Sequence, residues 1–194
     1  MSEIPDISET ADRSLYWKDF VEANKNNPEI IVSKLQLLEN QAGIDNLTGL
    51  LNRRGLEIQK DSLMATAKRH GETVLLFFCD ADDLKETNKK SFKAGDDLLI
   101  RITGALRKTF RRESDVIVRM GGDEFLVLTS IPTSTEDIPS HVEGLTGKLL
   151  QNLGEDQLSI GISMVESKEK FEEASNRADK RQIVDKNTHK LING

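Results

Sequence analysis

Apolar residues along this chain alternate between short continuous runs and helical spacings. Thr73-Val74-Leu75-Leu76-Phe77-Phe78-Cys79 is a nearly unbroken apolar run ending at Asp80, and such a run predicts a strand covered on both faces. Val116, Ile117 and Val118 make a second run, and Phe125, Leu126, Val127 and Leu128 a third. Gly121 and Gly122 lie between them, so the segment predicts a β-hairpin that turns at the glycines. Leu158-Ser159-Ile160-Gly161-Ile162-Ser163 reads as a further strand. Elsewhere the spacing changes to three and four residues. Leu56, Leu63, Met64 and Ala67 share one helical face, as do Leu98, Leu99, Ile102, Leu106 and Phe110, and also His141, Val142, Leu145 and Leu149. A last helix is expected from Phe171 to about Lys186. Strands alternating with helices predict an α/β fold, with a central sheet flanked by helices.

The first 44 residues differ in character. Residues 1–13 are polar and acidic and are expected to be disordered. Leu15, Tyr16, Trp17, Phe20 and Val21 then cluster at helical spacing. A second helix is expected after Pro28, with Ile31, Leu35, Leu38 and Ala42 nearly in heptad register. It serves either as a dimerising stalk or as a helix packed on its own domain. The division expected is therefore an N-terminal helical extension, 1–44, and a domain at 45–194. The extension is too short for a sensory domain of ordinary size, so the chain reads as a stand-alone protein or as part of a longer sensor.

Composition narrows the class. Of 194 residues, 37% are hydrophobic and 31% charged, which suits a soluble globular chain. No run approaches the ~18 apolar residues of a membrane span, and the acidic N-terminus lacks the apolar stretch of a signal peptide. The single cysteine, Cys79, can form no internal disulfide, in keeping with a reducing cytoplasm. A net charge of −6 argues against binding a nucleic acid polymer.

Candidate chemistry gathers at strand ends. Residues 119–125 read Arg-Met-Gly-Gly-Asp-Glu-Phe, placing Asp123 and Glu124 side by side at the hairpin tip. Adjacent carboxylates repel; the tip either stays solvated or holds a divalent cation. Asp80 ends the buried strand, where open α/β sheets present ligand sites. If the hairpin runs beside that strand, Asp80, Asp123 and Glu124 converge, and one or two Mg²⁺ would turn the cluster into a phosphate site. The Asp82–Lys85 turn offers backbone N–H groups to phosphate, or is a plain helix start capped by Asp82 or Asp83.

Several motifs in sequence order resemble the GGDEF family, the diguanylate cyclase domain. They are DNLTGLLNRR at 45–54, DADDLKETN at 80–88, AGDDLL at 94–99, RMGGDEF at 119–125, SIGIS at 159–163 and ADKRQIVDK at 178–186. The resemblance implies a palm-like central mixed β-sheet flanked by helices and a defined reaction. Two GTP molecules condense to cyclic di-GMP, releasing two pyrophosphates. It further implies that Asp80, Asp123, Glu124 and the Ala81 carbonyl hold Mg²⁺ or Mn²⁺, and that Asp123, Glu124 and Lys85 serve catalysis. Substrate contacts would fall to Asp83, Leu84, Asn88, Lys93, Asp96, Lys186 and Lys190, with Asn88 and Asp96 reading guanine. Guanine presents donors that an acceptor-only carboxylate can take. Arg112 and Asp115 match the family's R-x-x-D site for inhibition by the product. One protomer binds one GTP, so the resemblance implies a homodimer. The chain departs from the pattern in places. The Asn88–Gly95 segment is one residue short and lacks the usual Asn-Asp and Gly-His, with Lys89, Phe92 and Lys93 instead. Leu84 replaces phenylalanine, Ile183 replaces tyrosine, and no Gly-Arg follows Lys186. The alternative is a catalytically silent domain acting as a receptor for cyclic di-GMP or GTP.

Overall fold

The computed structural model describes residues 10–135, 137–154, 158–165 and 170–193. The chain divides into two compact units between Ala42 and Gly43. The first holds helices α1 (Thr10–Ala23) and α2 (Pro28–Ala42). Tyr16, Trp17 and Phe20 cluster on α1 with ring centroids 5.5 to 6.2 Å apart. Residues 10–13, expected to be disordered, form the first turn of α1; extending a nucleated helix costs little. Residues 1–9 lie outside the described residues. On α2, Ile30, Val32 and Leu35 stay about half exposed.

The second unit runs β1 (Leu51–Asn52), α3 (Arg53–His70), β2 (Glu72–Ala81), α4 (Leu84–Lys90), α5 (Phe92–Thr109), β3 (Val116–Gly121), β4 (Glu124–Pro132), α6 (Ile138–Leu153), β5 (Leu158–Val165) and α7 (Phe171–Asn193). The strands form one sheet in the order β1-β3-β4-β2-β5. β1 runs parallel to β3 and every other pair is antiparallel, so the sheet is mixed. β1 escaped the sequence reading because two residues make no periodic signal. α4, whose seven residues LKETNKK carry one buried side chain, Leu84, begins where the sequence offered either a phosphate-facing turn or a helix start capped by Asp82 or Asp83.

The apolar run in β2 is buried from Val74 to Cys79, and its two faces serve two cores. Val74, Leu76 and Phe78 pack with Leu56 and Ala67 of α3 and Ala174 and Ala178 of α7. Leu75, Phe77 and Cys79 pack with Leu98, Ile102 and Leu106 of α5 and Leu149 of α6. Helices therefore cover both faces of the strand, as a continuous apolar run requires. Burial, and then the charge of Asp80, pushes the Cys79 thiol up to about 12, so it behaves as a small apolar side chain.

Local signals fix the helix ends. The Asn52 side chain accepts from the N–H groups of Arg54 and Gly55 to start α3. Gly71, at φ 66°, ends that helix in the left-handed region. At Gly161 the absent side chain matters for a different reason. A Cβ there would lie 1.8 Å from the Ala178 carbonyl oxygen and 2.4 Å from the Gln182 nitrogen, so only glycine lets α7 lie this close to β5. Both obstacles are backbone and cannot turn aside. Gly161→Ala should therefore cost about 3 kcal/mol or more of stability. Urea unfolding of the purified variant checks this; an unchanged midpoint would refute the close approach.

Candidate active site

The antiparallel register sets Asp80 on β2 opposite Glu124 on β4. On the other side of β2, Asp80 faces Ser159 of β5. The Ala81 N–H donates to the Asp123 carbonyl at 2.9 Å, which closes the hairpin tip onto the end of β2. Asp80, Ala81, Asp123 and Glu124 thus occupy one corner of the sheet, as the sequence suggested.

The tip is shaped by two glycines and one arginine. Gly121 and Gly122 take φ values of 141° and 55°, which an L side chain rarely adopts. Arg119 donates from Nε and Nη2 to the Gly122 carbonyl at 3.2 and 2.8 Å. Its Nη1 reaches both oxygens of Asp45 at 3.1 and 3.2 Å. Asp45 also accepts from the Thr48 N–H and hydroxyl at 2.8 and 2.6 Å. Burial pushes the Asp45 carboxyl up, but the bonds from Thr48 and Arg119 outweigh it and hold the group below its usual range. One guanidinium thus ties the 45–50 loop to the hairpin turn.

Electrostatics at the corner run the other way. Burial, and then the charges of Asp123, Asp80 and Asp179, raise the Glu124 carboxyl, while Arg53 opposes the shift. Neither Asp179 of α7 nor Arg53 of α3 had been assigned a role from sequence. Both lie inside recognised motifs, ADKRQIVDK and DNLTGLLNRR, and that was the only signal available. Among the described residues, no three acids or histidines are gathered closely enough to hold a metal ion. The backbone brings Asp80, Asp123 and Glu124 to one corner, near enough for the charges of Asp123 and Asp80 to act on Glu124. The donor set still suits a hard divalent cation: its ligands would be carboxylates and a backbone carbonyl, and its charge would relieve the repulsion that raises Glu124.

The turn after β2 departs from a plain helix start. Asp82 accepts from the Ser159 hydroxyl at 2.7 Å. Asp83 occupies the cap position of α4 at φ 59°, without a capping bond from its side chain. Among the described residues it alone holds a positive φ without being glycine. Such strain costs about 1–2 kcal/mol and tends to collect at functional turns. The Leu84 side chain belongs to the core, so any contact it makes with substrate falls to its backbone. Lys85 is exposed. Lys93, also exposed, reaches towards Asp97 at 4.0 Å.

Asn88 packs on α5 at the residue before Asp96, whose own side chain is exposed. A Cβ built on Gly95 would lie 1.9 Å from the Asn88 Oδ1, so the Asn88 amide rests directly against the backbone beside Asp96. Lys186 and Lys190 fall on the last turns of α7, but their side chains lie outside the described residues. Arg112 and Asp115 sit elsewhere. Thr129 pairs with Leu75 on β2 and donates its hydroxyl to Asp115 at 2.7 Å. Leu75 is five residues from Asp80, which puts Asp115 roughly 17 Å along the sheet from the acidic corner. Asp115 also accepts from the Arg112 N–H at 2.9 Å, and the Arg112 guanidinium donates to the Ser130 carbonyl at 2.7 Å. Both carboxylate oxygens of Asp115 thus accept from within the chain. Each oxygen keeps a further lone pair, so a ligand here could use both the remaining donors of Arg112 and the open acceptor positions of Asp115.

The raised Glu124 carboxyl has a thermodynamic consequence. A folded-state value above the usual 4.5 means that the fold holds a proton the unfolded chain has released. Stability is therefore lost as pH rises from about 4.5 through the raised value. Glu124→Gln removes that loss. Without divalent cations, the variant should melt above the wild type at pH 7 and level with it at pH 4. Millimolar Mg²⁺ should raise the wild type more than the variant. Melts that coincide at pH 7, with and without Mg²⁺, would refute this account of the corner.

Comparison with known proteins agrees with the motifs. Residues 42–190 match the family described as diguanylate cyclase, GGDEF domain. The chain is 31% identical over 188 residues to diguanylate cyclase DosC of Escherichia coli K12, covering 90% of this chain and 40% of that protein. It is 39% identical over 101 residues to diguanylate cyclase TpbB of Pseudomonas aeruginosa UCBPP-PA14, covering 52% of this chain and 23% of that protein. The chain thus spans less than half the length of these relatives. Among solved structures, the coiled coil and GGDEF domain of DgcB from Caulobacter crescentus, solved in complex with cyclic di-GMP, superimposes with a TM-score of 0.70. That match has 19% identity and covers 89% of this chain and 95% of that one, so it speaks for the fold. The mixed sheet, the ordered motifs and the acidic corner agree with the family match: this chain belongs to the GGDEF, diguanylate cyclase, family.

Proposed function

We propose that the chain is a diguanylate cyclase, which condenses two GTP molecules into cyclic di-GMP and two pyrophosphates. The observation that carries this reading is the register placing Asp80 opposite Glu124, with Asp123 hydrogen-bonded to Ala81. Asp80, Asp123, Glu124 and the Ala81 carbonyl would hold Mg²⁺ or Mn²⁺. When bound, such ions supply Lewis-acid neutralisation of phosphate oxygens and favour the deprotonated form of an attacking hydroxyl.

The chain's own residues do the rest. Asn88 and Asp96 bind the guanine edge and set the position of the α-phosphate. Adenine would set its N1 acceptor where guanine offers the Asp96 carboxylate a donor. The turn at Asp83 and Leu84 directs backbone N–H groups at the phosphates. Lys85, Lys93, Lys186 and Lys190 neutralise phosphate charge. Glu124, opposite Asp80 in the sheet, would take the proton of the 3′-hydroxyl. Each site holds one nucleotide, so turnover requires a second copy facing the first. The half-exposed apolar residues of α2 suit it to bringing two copies together. Arg112 and Asp115 serve as the site of product inhibition.

A second reading rests on the pairing of Arg112 with Asp115 away from the acidic corner. On that reading the chain is a catalytically silent receptor for cyclic di-GMP or GTP. The two readings part on a single assay. Purified protein with GTP and Mg²⁺ should form cyclic di-GMP, and Asp123→Ala should reduce the rate by about a hundredfold or more. A demonstrably dimeric sample that forms no product would refute the cyclase reading. The receptor reading wins if Asp123→Ala leaves the cellular output intact while Arg112→Ala abolishes it.

A further inference from the structure

Phe92 opens α5 and leaves 83% of its surface exposed, more than any other large apolar side chain described. A phenyl ring left in water contributes nothing to the fold, and the residues around it show what it could cover. At 3.6 residues per turn, Phe92 lies one turn before Gly95 and Asp96, on the face that carries both. Gly95 is the residue against which the Asn88 amide rests. Phe92 therefore neighbours Asp96 and lies one turn before the glycine on which Asn88 rests. The Asn88 and Asp96 side chains offer hydrogen bonds to the edge of a purine, and neither covers its face. The Ser91 side chain caps the helix by accepting from the Ala94 N–H at 3.0 Å, which fixes the start of α5 and the direction of its first turn.

We propose that Phe92 is a substrate-contact residue that stacks on the purine ring whose edge Asn88 and Asp96 bind. This rests on the guanine-site reading and goes beyond it. Stacking needs only a π-face and tolerates any base, so Phe92 supplies affinity while Asp96 supplies the choice of guanine. The residue belongs to the shortened 89–95 segment, where the chain departs from its family's pattern.

The test is nucleotide binding with Mg²⁺, using 3′-deoxyguanosine triphosphate, which lacks the attacking hydroxyl, and inorganic tripolyphosphate, which lacks the base. Phe92→Ala should weaken the nucleotide on the order of tenfold and leave tripolyphosphate unchanged. The preference for the guanine over the adenine nucleotide should persist. Phe92→Tyr should restore affinity. In Phe92→Trp, the nucleotide should quench emission beyond the Trp17 background seen in the wild type, and tripolyphosphate should not. Unchanged nucleotide affinity in Phe92→Ala, with Asp96→Asn weakened, overturns the stacking alone. A wild type that binds the nucleotide no better than tripolyphosphate overturns the stacking together with the guanine site beneath it.

Discussion

The pairing of β2 with β4 is the constraint on which the rest of the structure depends. It runs without interruption from Glu72 opposite Pro132 to Asp80 opposite Glu124. Both strands are buried on both faces, so their side chains are sorted between two different cores. A slip of one residue would send every side chain of β2 to the wrong core and would part Asp80 from Glu124. Burying side chains such as Leu75, Leu76 and Phe77 is worth roughly 1.5–3 kcal/mol each. That exceeds what repulsion among partly solvated acids at the strand end can cost. The core therefore dictates where the acids sit, and the fold tolerates an arrangement the acids themselves oppose.

Arg119 extends this order to the edge of the sheet. Its planar fork bonds the Gly122 carbonyl on one side and the Asp45 carboxylate on the other. A lysine has no second arm with which to do this. The same arginine sits at the bulge between β3 and the turn, where the register shifts between Arg119 and Gly121. Through Asp45 and Thr48 the contact reaches the loop before β1, which pairs with β3. Hairpin tip, loop and edge strand are thus held by one cation. The region around Arg112 and Asp115, at the far end of the same strands, is organised separately and satisfies its own hydrogen bonds.

Much of the fold was legible in the sequence because burial leaves a local trace. The run from Val74 to Cys79, the hairpin glycines and the spacing along α5 each report which faces are covered. They predicted β2, the β3–β4 turn and α5 in the right order. The motifs added the identities of Asp80, Asp123, Glu124, Asn88 and Asp96, and the strand register brings the first three to one end of the sheet. What escaped was short or long-range: β1, too brief for any period, and Asp179 and Arg53, which act on Glu124 from distant parts of the chain.

The sequence by itself determined the elements, their order and the residue types available for chemistry, because hydrophobic period and turn residues act over a few positions. Only the tertiary structure decided that Arg119 would join Asp45 to Gly122, that Asp83 would hold a left-handed backbone, and that the acids of β2 and β4 would share a corner. Those outcomes depend on how distant charges and backbone groups meet once the cores are packed, and no local pattern records that.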